Sequence, residues 1–482
     1  MKINANMSAL ITNKQLLRIE NNMTASMERL SSGLKLNHAK DNPAGMAISK
    51  KMRAQIAGLD RASENASDGI SAIHIADGAL NETSSILQRM RELSVQAAND
   101  TNNLEDRRAI QQEIDSLKEE VTRISKNTEY NELPLLDGSL DARVYAKNVS
   151  RISISDAVTA GNYKLTVDTA AKKAQTAGAA AALDLNDTTT EIGVEGTVSV
   201  NGYSVAIEAS DTSAEVYEKL RKAAEIGSTS LSKDVTTGAL VFESEDFGRY
   251  ATAEIRFSSK QMADALGFTN AALDTETNDY VLGSKGTDAV ITLEKGTGDS
   301  AFGAGATVSQ EDNKITITDK GGFSLSFLLE EDFDKTTDPA GTGEIQFEVT
   351  DIGTMTLHIG ANKDQNMVVR VPEVSSESLF IDDIDVTKIG GADKAIRRLD
   401  EAIAACSNAR SALGAYENRL DYSVASLDAF GENMTDALSR LADTDMAQEM
   451  TTYTQQNVLN QAAISVLTQA NDMPQAVLQL LQ

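Results

Sequence analysis

The chain has 482 residues and a formal net charge of −28, from 72 acidic and 44 basic side chains. Nucleic-acid binding draws its affinity from Lys and Arg, so we expect no nucleic-acid partner. The chain contains no Trp, 3 His and a single cysteine, Cys406. This composition excludes an intrachain disulfide framework and leaves few side chains for metal binding or proton transfer.

The N-terminal part of the chain has the periodicity of long helices. Residues 7–34 carry apolar side chains along one side, and Gly33 with the stretch DNPAG at 41–45 predicts a turn or bent connector. From Ile56 to Leu93, two adjacent apolar stripes alternate in steps of three and four residues. This pattern is typical of a coiled-coil or bundle helix with partners on more than one side. Residues 99–103 interrupt it, and a further seam at 110–124 predicts another helix.

The middle of the chain is rich in Gly, Thr and Asp and has the short periods of β-strands. Thr197–Ile207 alternates around Asn201-Gly202, which predicts a hairpin, and Thr212 with Glu215 forms a capping box that predicts a helix to Gly227. We expect at least one α+β module and one mostly β module. The Ala-rich segment 170–182 is predicted to be a linker or short helix. Further strand-like runs lie at 239–243, 254–257, 290–293, 315–318, 323–328, 344–349 and 355–359.

The C-terminal part returns to helical periods. A seam runs from Ile396 to Leu427, and Gly431 is expected to loosen the chain before a last helix. That helix, 446–481, is apolar nearly all round, with Gln and Asn as its polar residues, so we expect it to be either buried or unfolded. Helical seams at both ends that skip the centre predict that the ends pair. The predicted fold is mainly α, a long antiparallel coiled coil or bundle of both chain ends, with inserted α+β and β domains that project outward.

The sequence shows no pattern of catalytic or ligand-binding residues. His38, His74 and His358 are far apart, and Cys406 occupies a seam position where a thiol behaves as a small buried hydrophobe. The acidic pairs at 330–331 and 382–383 are expected to face water. We therefore expect no enzyme, no catalytic residue, no metal site and no cofactor.

Two further absences concern membranes and export. No run of eighteen apolar residues occurs, so no membrane-spanning helix and no membrane partner are expected. The polar start MKINAN lacks a secretory signature, so export, if it occurs, is expected to need no cleaved signal.

Long motifs at both ends resemble flagellin, the subunit of the bacterial flagellar filament. The N-terminal motifs include MKINANMSAL (1–10), ERLSSGLKLNHAKDNPAGMAIS (28–49) and QRMRELSVQAANDT (88–101). The C-terminal motifs include LGAYENRL (413–420), LSRLADTDMAQEM (438–450) and QAAISVLTQANDMPQAVLQLL (461–481). Residues 355–371 resemble the family's short hairpin, and 197–245 resembles a hairpin-helix module inserted in many of its members.

The resemblance implies a domain organisation. Residues 1–44 would form an inner-tube helix and connector, 45–141 outer-tube helices, and 142–352 inserted surface domains that include the hairpin-helix module at 197–268. Residues 353–430 would form the hairpin and an outer-tube helix, and 431–482 the C-terminal inner-tube helix. The implied function is a structural subunit that polymerises into the extracellular filament for swimming motility and is exported by the flagellar type III apparatus. The alternatives are a hook–filament junction protein and an adhesin carried on the filament.

The resemblance also implies partners and site residues. Besides other copies of the chain, the expected partners are an export chaperone, hook-associated junction and cap proteins, and the vertebrate flagellin-sensing Toll-like receptor. Receptor binding is expected at Gln88, Arg89, Leu93 and Glu113. The chaperone is expected to bind Met450, Val458, Ile464, Leu467 and Val477. Filament contacts are expected at Leu10, Leu17, Met23, Met27, Leu30, Met446, Met450, Ile464, Leu467, Leu478 and Leu481.

Overall fold

The computed structural model describes residues 6–99, 101–155, 157–179, 189–234, 236–275, 277–296, 302–311, 313–330, 333 and 343–480, with side chains as far as residue 473. The chain forms two compact units. Unit 1 consists of Met1–Gly69, Leu357–Met367 and Arg419–Gln482. Unit 2 consists of Ile70–Thr356 and Val368–Asn418.

Helices form at both chain ends, as the periodicity predicts. The described part of the chain contains α1 (Met7–Ser32), α2 (Pro43–Ala97), α3 (Leu104–Asn127), α4 (Ser213–Ile226), α5 (Lys260–Ala265), α6 (Gly391–Ala442) and α7 (Met446–Leu480).

The ends of these helices follow local chemistry. Gly33 stops α1 in the left-handed conformation at φ 70°, and its N–H donates to Arg29 O at 2.8 Å. Asn103 and Asp106 form a capping box that opens α3.

Two predictions about helix boundaries are wrong. The expected connector at 41–45 is shorter, because Pro43 is the first residue of α2, a position where its missing N–H costs nothing. The expected loosening at Gly431 does not occur, since α6 continues through it. One glycine costs only about 1 kcal/mol in a helix, which the rest of a 52-residue helix absorbs.

In unit 1, α1 and α7 lie antiparallel. Asn6 Nδ2 donates to Ala470 O at 2.8 Å near one end, and Ser26 Oγ donates to Glu449 Oε1 at 2.6 Å near the other. Beyond them, Thr444 N donates to Gly33 O at 2.9 Å. The N- and C-terminal chain segments therefore pair, as expected.

The helical part of unit 2 is built around a buried apolar seam. The α2 and α6 segments run antiparallel, with Arg91 bonded to Asp400 and Asp77 to Arg410. Both predicted stripes of α2 are confirmed. Buried seam residues include Ile73, Leu80, Leu87, Met90 and Leu93 of α2, Ile110, Ile114 and Val121 of α3, and Leu399, Cys406 and Leu413 of α6.

The inserted residues form two β-rich modules, one nested in the other. The first, here the sandwich module, contains β3 (Arg143–Tyr145), β4 (Val149–Ile154), β5 (Gly161–Thr169), β14 (Val290–Leu293), β15 (Thr307–Glu311), β16 (Lys314–Thr318), β17 (Ser324–Leu329) and β18 (Glu344–Thr350). The second, here the mixed module, contains β6 (Lys173–Ala177), β7 (Gly196–Val200), β8 (Tyr203–Ile207), β9 (Thr229–Lys233), β10 (Leu240–Phe247), β11 (Thr252–Phe257), β12 (Ala272–Leu273) and β13 (Tyr280–Lys285), with α4 and α5. Two short hairpins, β1 (Glu129–Tyr130) with β2 (Leu133–Pro134) and β19 (Met355–His358) with β20 (Asn366–Val369), lie outside the modules.

The sandwich module has two antiparallel four-stranded sheets. Their strand orders are β14-β5-β18-β3 and β15-β16-β17-β4. Alternate residues of both sheets are buried in one core, where the rings of Phe327 and Phe347 lie 4.9 Å apart. Period-two burial between two sheets explains why this region has alternating rather than helical periodicity.

The mixed module has a five-stranded sheet, β12-β13-β11-β7-β8, and a three-stranded sheet, β6-β10-β9. The predicted hairpin is confirmed: Asn201 and Gly202 take φ 47° and 95° in the β7–β8 turn. The capping box at Thr212 is also confirmed. The module extends beyond the predicted 197–268, because β13 reaches Lys285.

The prediction for 170–182 is wrong over its described residues. Lys173–Ala177 forms β6, which pairs antiparallel with β10. Ala174 is fully buried there, so pairing with a neighbouring strand overrides the helical preference of an Ala-rich sequence. Residues 180–182 lie outside the described part of the chain.

Candidate assembly surface

The seam between α1 and α7 joins mainly apolar residues of α1 to mainly polar residues of α7. On α1 the buried and half-buried positions follow steps of three and four: Ala9, Thr12, Leu16, Ile19, Met23, Ser26 and Leu30. The facing positions of α7 are Glu449, Thr452, Tyr453, Gln456, Asn460, Ala463, Leu467 and Ala470. α1 therefore supplies mainly apolar side chains to the seam, and α7 supplies mainly hydroxyl, amide and carboxylate groups. Arg29 of α1 also forms an ion pair with Glu449 of α7 at 3.6 Å.

Large apolar side chains occupy the outside of the same two helices. Leu10 and Leu17 lie on the side of α1 away from the seam and are 63% and 54% exposed. On α7, apolar side chains that are 43–61% exposed are Met446, Met450, Val458, Leu459, Ile464, Val466 and Met473. We call these residues of α1 and α7 the apolar outer face. It corrects the expectation that 446–481 is either buried or unfolded, since α7 is formed and most of the large apolar side chains described on it are exposed.

The predicted filament-contact residues divide between these two faces. Leu10, Leu17, Met27, Met446, Met450 and Ile464 are exposed, whereas Met23, Leu30 and Leu467 are half-buried in the seam. The Leu478 side chain and Leu481 lie outside the described part. The sequence prediction missed Ile19 and Ser26, which are buried in the seam. Continuing the three-and-four spacing through polar as well as apolar positions would have found them.

The chaperone residues follow the same division. Met450, Val458 and Ile464 are exposed, and Leu467 is half-buried. The Val477 side chain lies outside the described part.

The residues predicted to bind a receptor lie on α2 and α3. Gln88, Arg89 and Glu113 are exposed. Arg89 donates to Glu113 Oε1 at 2.8 Å and 3.1 Å, and to Glu92 at 3.3 Å. Donating hydrogen bonds to Glu113 raises the pKa of the Arg89 guanidinium, and the negative charge of Glu113 raises it further. The expectation that Leu93 is an exposed receptor contact is wrong, because its side chain is 2% exposed and packs in the seam of unit 2.

Cys406 packs as predicted. It is fully buried, and its Sγ donates to Leu80 O at 3.3 Å. Burial raises the pKa of this thiol to about 11, so the reactive thiolate is disfavoured at neutral pH.

The three histidines are scattered over the molecule, and each has an adjacent oxygen. His38 Nε2 lies 2.8 Å from Glu28, His74 Nε2 lies 3.4 Å from Glu417, and His358 Nδ1 lies 2.5 Å from Asn366 Oδ1. Within the described residues, no group of three or more His, Cys, Asp or Glu is placed to hold a metal ion. Among the helices that the structure describes, none is long and apolar enough to cross a membrane.

The expectation that 382–383 simply faces water is wrong. Asp382 pairs with Arg151, and Asp383 with Arg398. Burial opposes ionisation of Asp383, but the Arg398 charge and hydrogen bond outweigh it and lower the pKa of that carboxyl. Of the other acidic pair, Glu331 lies outside the described residues.

These features define a class: a structural protein whose two chain ends form a paired helical unit with exposed apolar faces, with β-rich modules inserted between them. Residues 3–141 match the bacterial flagellin N-terminal helical region, and residues 396–481 match the bacterial flagellin C-terminal helical region. A flagellin of Clostridium tyrobutyricum is 33% identical over 479 residues, covering 98% of this chain and 100% of that protein. Polar flagellin B/D of Vibrio parahaemolyticus is 30% identical, covering 100% of this chain and 99% of that protein. The chain belongs to the flagellin family, the structural subunits of the extracellular bacterial flagellar filament.

A solved structure of FliC from Burkholderia pseudomallei aligns with 73% of this chain and 99% of that chain. The identity between the two chains is 19% and the TM-score is 0.23.

Proposed function

We propose that the apolar outer face of α1 and α7 forms the contacts between copies of this chain in the filament. The observation that carries this proposal is the set of Leu, Ile, Val and Met side chains that are exposed on the outside of the helix pair, in addition to the apolar residues in its seam. Exposed patches of this kind mark interaction surfaces. In this proposal residues 1–44 and 431–482 form the inner tube, 45–141 and 353–430 the outer tube, and 142–352 the surface domains.

The test is seeded polymerisation of purified chain, followed by electron microscopy. Ile464→Asp places a charge on the outer face and should abolish or strongly slow filament growth, because burying an unpaired carboxylate is costly. Gln469→Asp, at an exposed polar position of the same helix, is the matched control and should polymerise normally. Normal growth of the Ile464→Asp protein would contradict the proposed surface.

We further propose that α7 binds an export chaperone before assembly, in line with export by the flagellar type III apparatus. The exposure of Met450, Val458 and Ile464 supports this, since an apolar helix face needs cover until it meets another subunit. Combining Ile464→Asp with Leu467→Asp should weaken the chaperone complex by calorimetry, whereas Arg89→Ala should not change it. Equal affinity of the double variant and the wild type would argue against this site.

A third proposal concerns the vertebrate flagellin-sensing Toll-like receptor. Exposed Gln88, Arg89 and Glu113 support a contact patch on α2 and α3, in which Glu113 holds the Arg89 guanidinium in one orientation. Arg89→Ala is expected to lower receptor affinity by roughly 1–3 kcal/mol, a hot-spot magnitude. Leu93→Ala should act on stability instead, because its side chain is buried.

Binding to receptor ectodomain by calorimetry, with thermal unfolding of the same variants, separates these two effects. If the neighbouring subunit covers this patch in the filament, monomers should bind and filaments should not. Unchanged affinity of the Arg89→Ala monomer would remove the patch from the proposal. Junction and cap proteins at the ends of the filament are the remaining proposed partners, and the apolar outer face is the surface that they would share with neighbouring copies.

A further inference from the structure

Two non-glycine residues with positive φ lie where the sandwich module meets the segment that leads into α6. Arg151, on β4, has φ 51°, and Phe380, which is buried, has φ 57°. The pairing of β4 with β17 shifts register between Ser326 and Leu328, opposite Arg151. Side chains with a Cβ rarely adopt this conformation and keep it only when surrounding contacts hold them.

The contact that holds Arg151 is a two-bond ion pair. Its Nη1 donates to Asp382 Oδ1 at 2.5 Å, and its Nη2 donates to Asp382 Oδ2 at 2.7 Å. Both side chains are about one-third exposed or less. A planar guanidinium that binds both carboxylate oxygens fixes direction as well as distance, which a single lysine contact does not.

A second set of contacts joins the same two parts of unit 2. Lys314 of β16 pairs with Glu401 of α6 at 2.6 Å, and its ammonium lies 4.3 Å from the centre of the Phe380 ring. Arg397 of α6 pairs with Glu311 of β15 at 2.9 Å. Three ion pairs therefore connect the sandwich module to 380–401.

We propose that Arg151, Asp382, Lys314, Phe380 and Glu401 form a latch that sets the orientation of the sandwich module on the first turns of α6. The strained backbone at Arg151 and Phe380 is held by the ion pairs, so breaking the Arg151–Asp382 pair releases both the bond and the strain. The module then turns about its chain connections while its own core stays intact. The latch concerns the sandwich module alone, because the mixed module has its own ion pairs with this region, Lys388 with Glu245 and Lys394 with Asp246. This inference goes beyond the proposed assembly surface and does not depend on it.

The test measures the distance between two spin labels in the full chain by electron–electron double resonance. The labels are placed at exposed positions, Asn162→Cys on β5 and Ser411→Cys on α6. The native Cys406 is fully buried with a raised pKa, so it should not take up label, and wild-type protein carried through the same reaction checks this. The labelled chain should give one narrow distance distribution.

Asp382→Ala and Arg151→Asp should each at least double the width of that distribution. The double variant that carries both Arg151→Asp and Asp382→Arg restores an ion pair with its charges reversed, and it should restore the narrow distribution. Asp is suitable at position 151 because it tolerates positive φ better than most residues. Glu344→Ala removes a comparable ion pair inside the sandwich, Lys164–Glu344 at 2.8 Å, and should leave the width unchanged.

Two results would overturn the latch. One is a wild-type width in the Asp382→Ala chain, whose substituted residue lies outside the sandwich strands and so cannot unfold them directly. The other is a charge exchange that stays as broad as the single Arg151→Asp variant, because the ion pair would then not be what sets the orientation.

Discussion

Two antiparallel helix pairs of this chain bury their apolar side chains to different extents. In unit 2, α2 and α6 bury Leu80, Leu87, Cys406 and Leu413 completely, while Arg410 and Asp77 pair at the margin. In unit 1, α1 and α7 place Ser26 and Glu449 in their seam and leave Leu10 and Ile464 exposed. The first pair buries these seam residues completely within the single chain, whereas the second leaves many large apolar side chains exposed for another molecule to cover.

The comparison separates stability from assembly. Apolar burial supplies most of the folding free energy, at about 25 cal/mol per Å². The α2–α6 seam therefore stabilises the subunit itself. The outer face of α1 and α7 contributes little until it is covered, so its free energy is available to the polymer.

The largest expected effect comes from removing one member of the α1–α7 pair. A chain lacking residues 446–482 should form no filaments after seeding, as judged by electron microscopy, because seven of the nine residues of the apolar outer face are gone. Its unit 2 should still unfold cooperatively at the wild-type temperature by circular dichroism. A chain lacking residues 1–30 should behave in the same way. Filaments of normal length from either protein would refute the proposal that the α1–α7 pair supplies the filament contacts.

A matched pair of leucine substitutions tests the same contrast in single residues. Leu87 is fully buried in the α2 seam, so Leu87→Ala should lower the free energy of unfolding by roughly 2–5 kcal/mol. Leu459 is 43% exposed on α7, so Leu459→Ala should change it by less than about 1 kcal/mol. In seeded polymerisation the ranking should be reversed: Leu459→Ala should raise the critical concentration more than Leu87→Ala does. Equal losses in urea unfolding would mean that both helix pairs carry subunit stability.

The pH dependence of stability tests how completely the α2–α6 seam buries the Cys406 thiol. The pKa of Cys406 is about 11 in the folded chain, against 9.0 for an unperturbed thiol. Between these values the unfolded state loses its proton and the folded state keeps it, so stability should fall as pH rises from 9 to 11, by roughly 2–3 kcal/mol.

Other groups titrate in the same range, so the measurement is the difference between wild type and Cys406→Ala in urea unfolding at each pH. This difference in the free energy of unfolding should shrink by roughly 2–3 kcal/mol as the pH rises from 9 to 11. A pH-independent difference would show that the thiol is not desolvated in the seam.

The smallest effect on assembly is expected from the inserted modules. Replacing residues 142–352 by a short Gly/Ser linker should preserve filament formation and reduce filament diameter in electron micrographs, since α1 and α7 lie outside the replaced segment. Loss of polymerisation by a chain that keeps its helical circular dichroism would show that the modules supply essential contacts.

Local chemistry made several elements predictable from sequence. Asn201-Gly202 specifies its hairpin because both residues adopt positive φ cheaply, and the Thr212 capping box satisfies its own helix end. The apolar stripes of α2 are equally predictable from sequence, since a helix that packs on two sides needs apolar residues at every seam position. Each of these signals is contained within a few turns of chain.

The remaining features depend on residues far apart in sequence. Lys173–Ala177 is a strand only because β10 lies beside it, and Leu93 is buried only because unit 2 closes around it. The sequence predicts that Asp382 faces water, but the fold places Arg151 against it, and these two residues are 231 positions apart in the chain. The sequence alone determined that both chain ends are helical, that they pair, and that the middle is β-rich, because periodicity records which residues must be covered. Only the tertiary structure decided what covers them: Leu16, Ile19 and Met23 of α1 face α7, whereas Leu10 and Ile464 are left exposed.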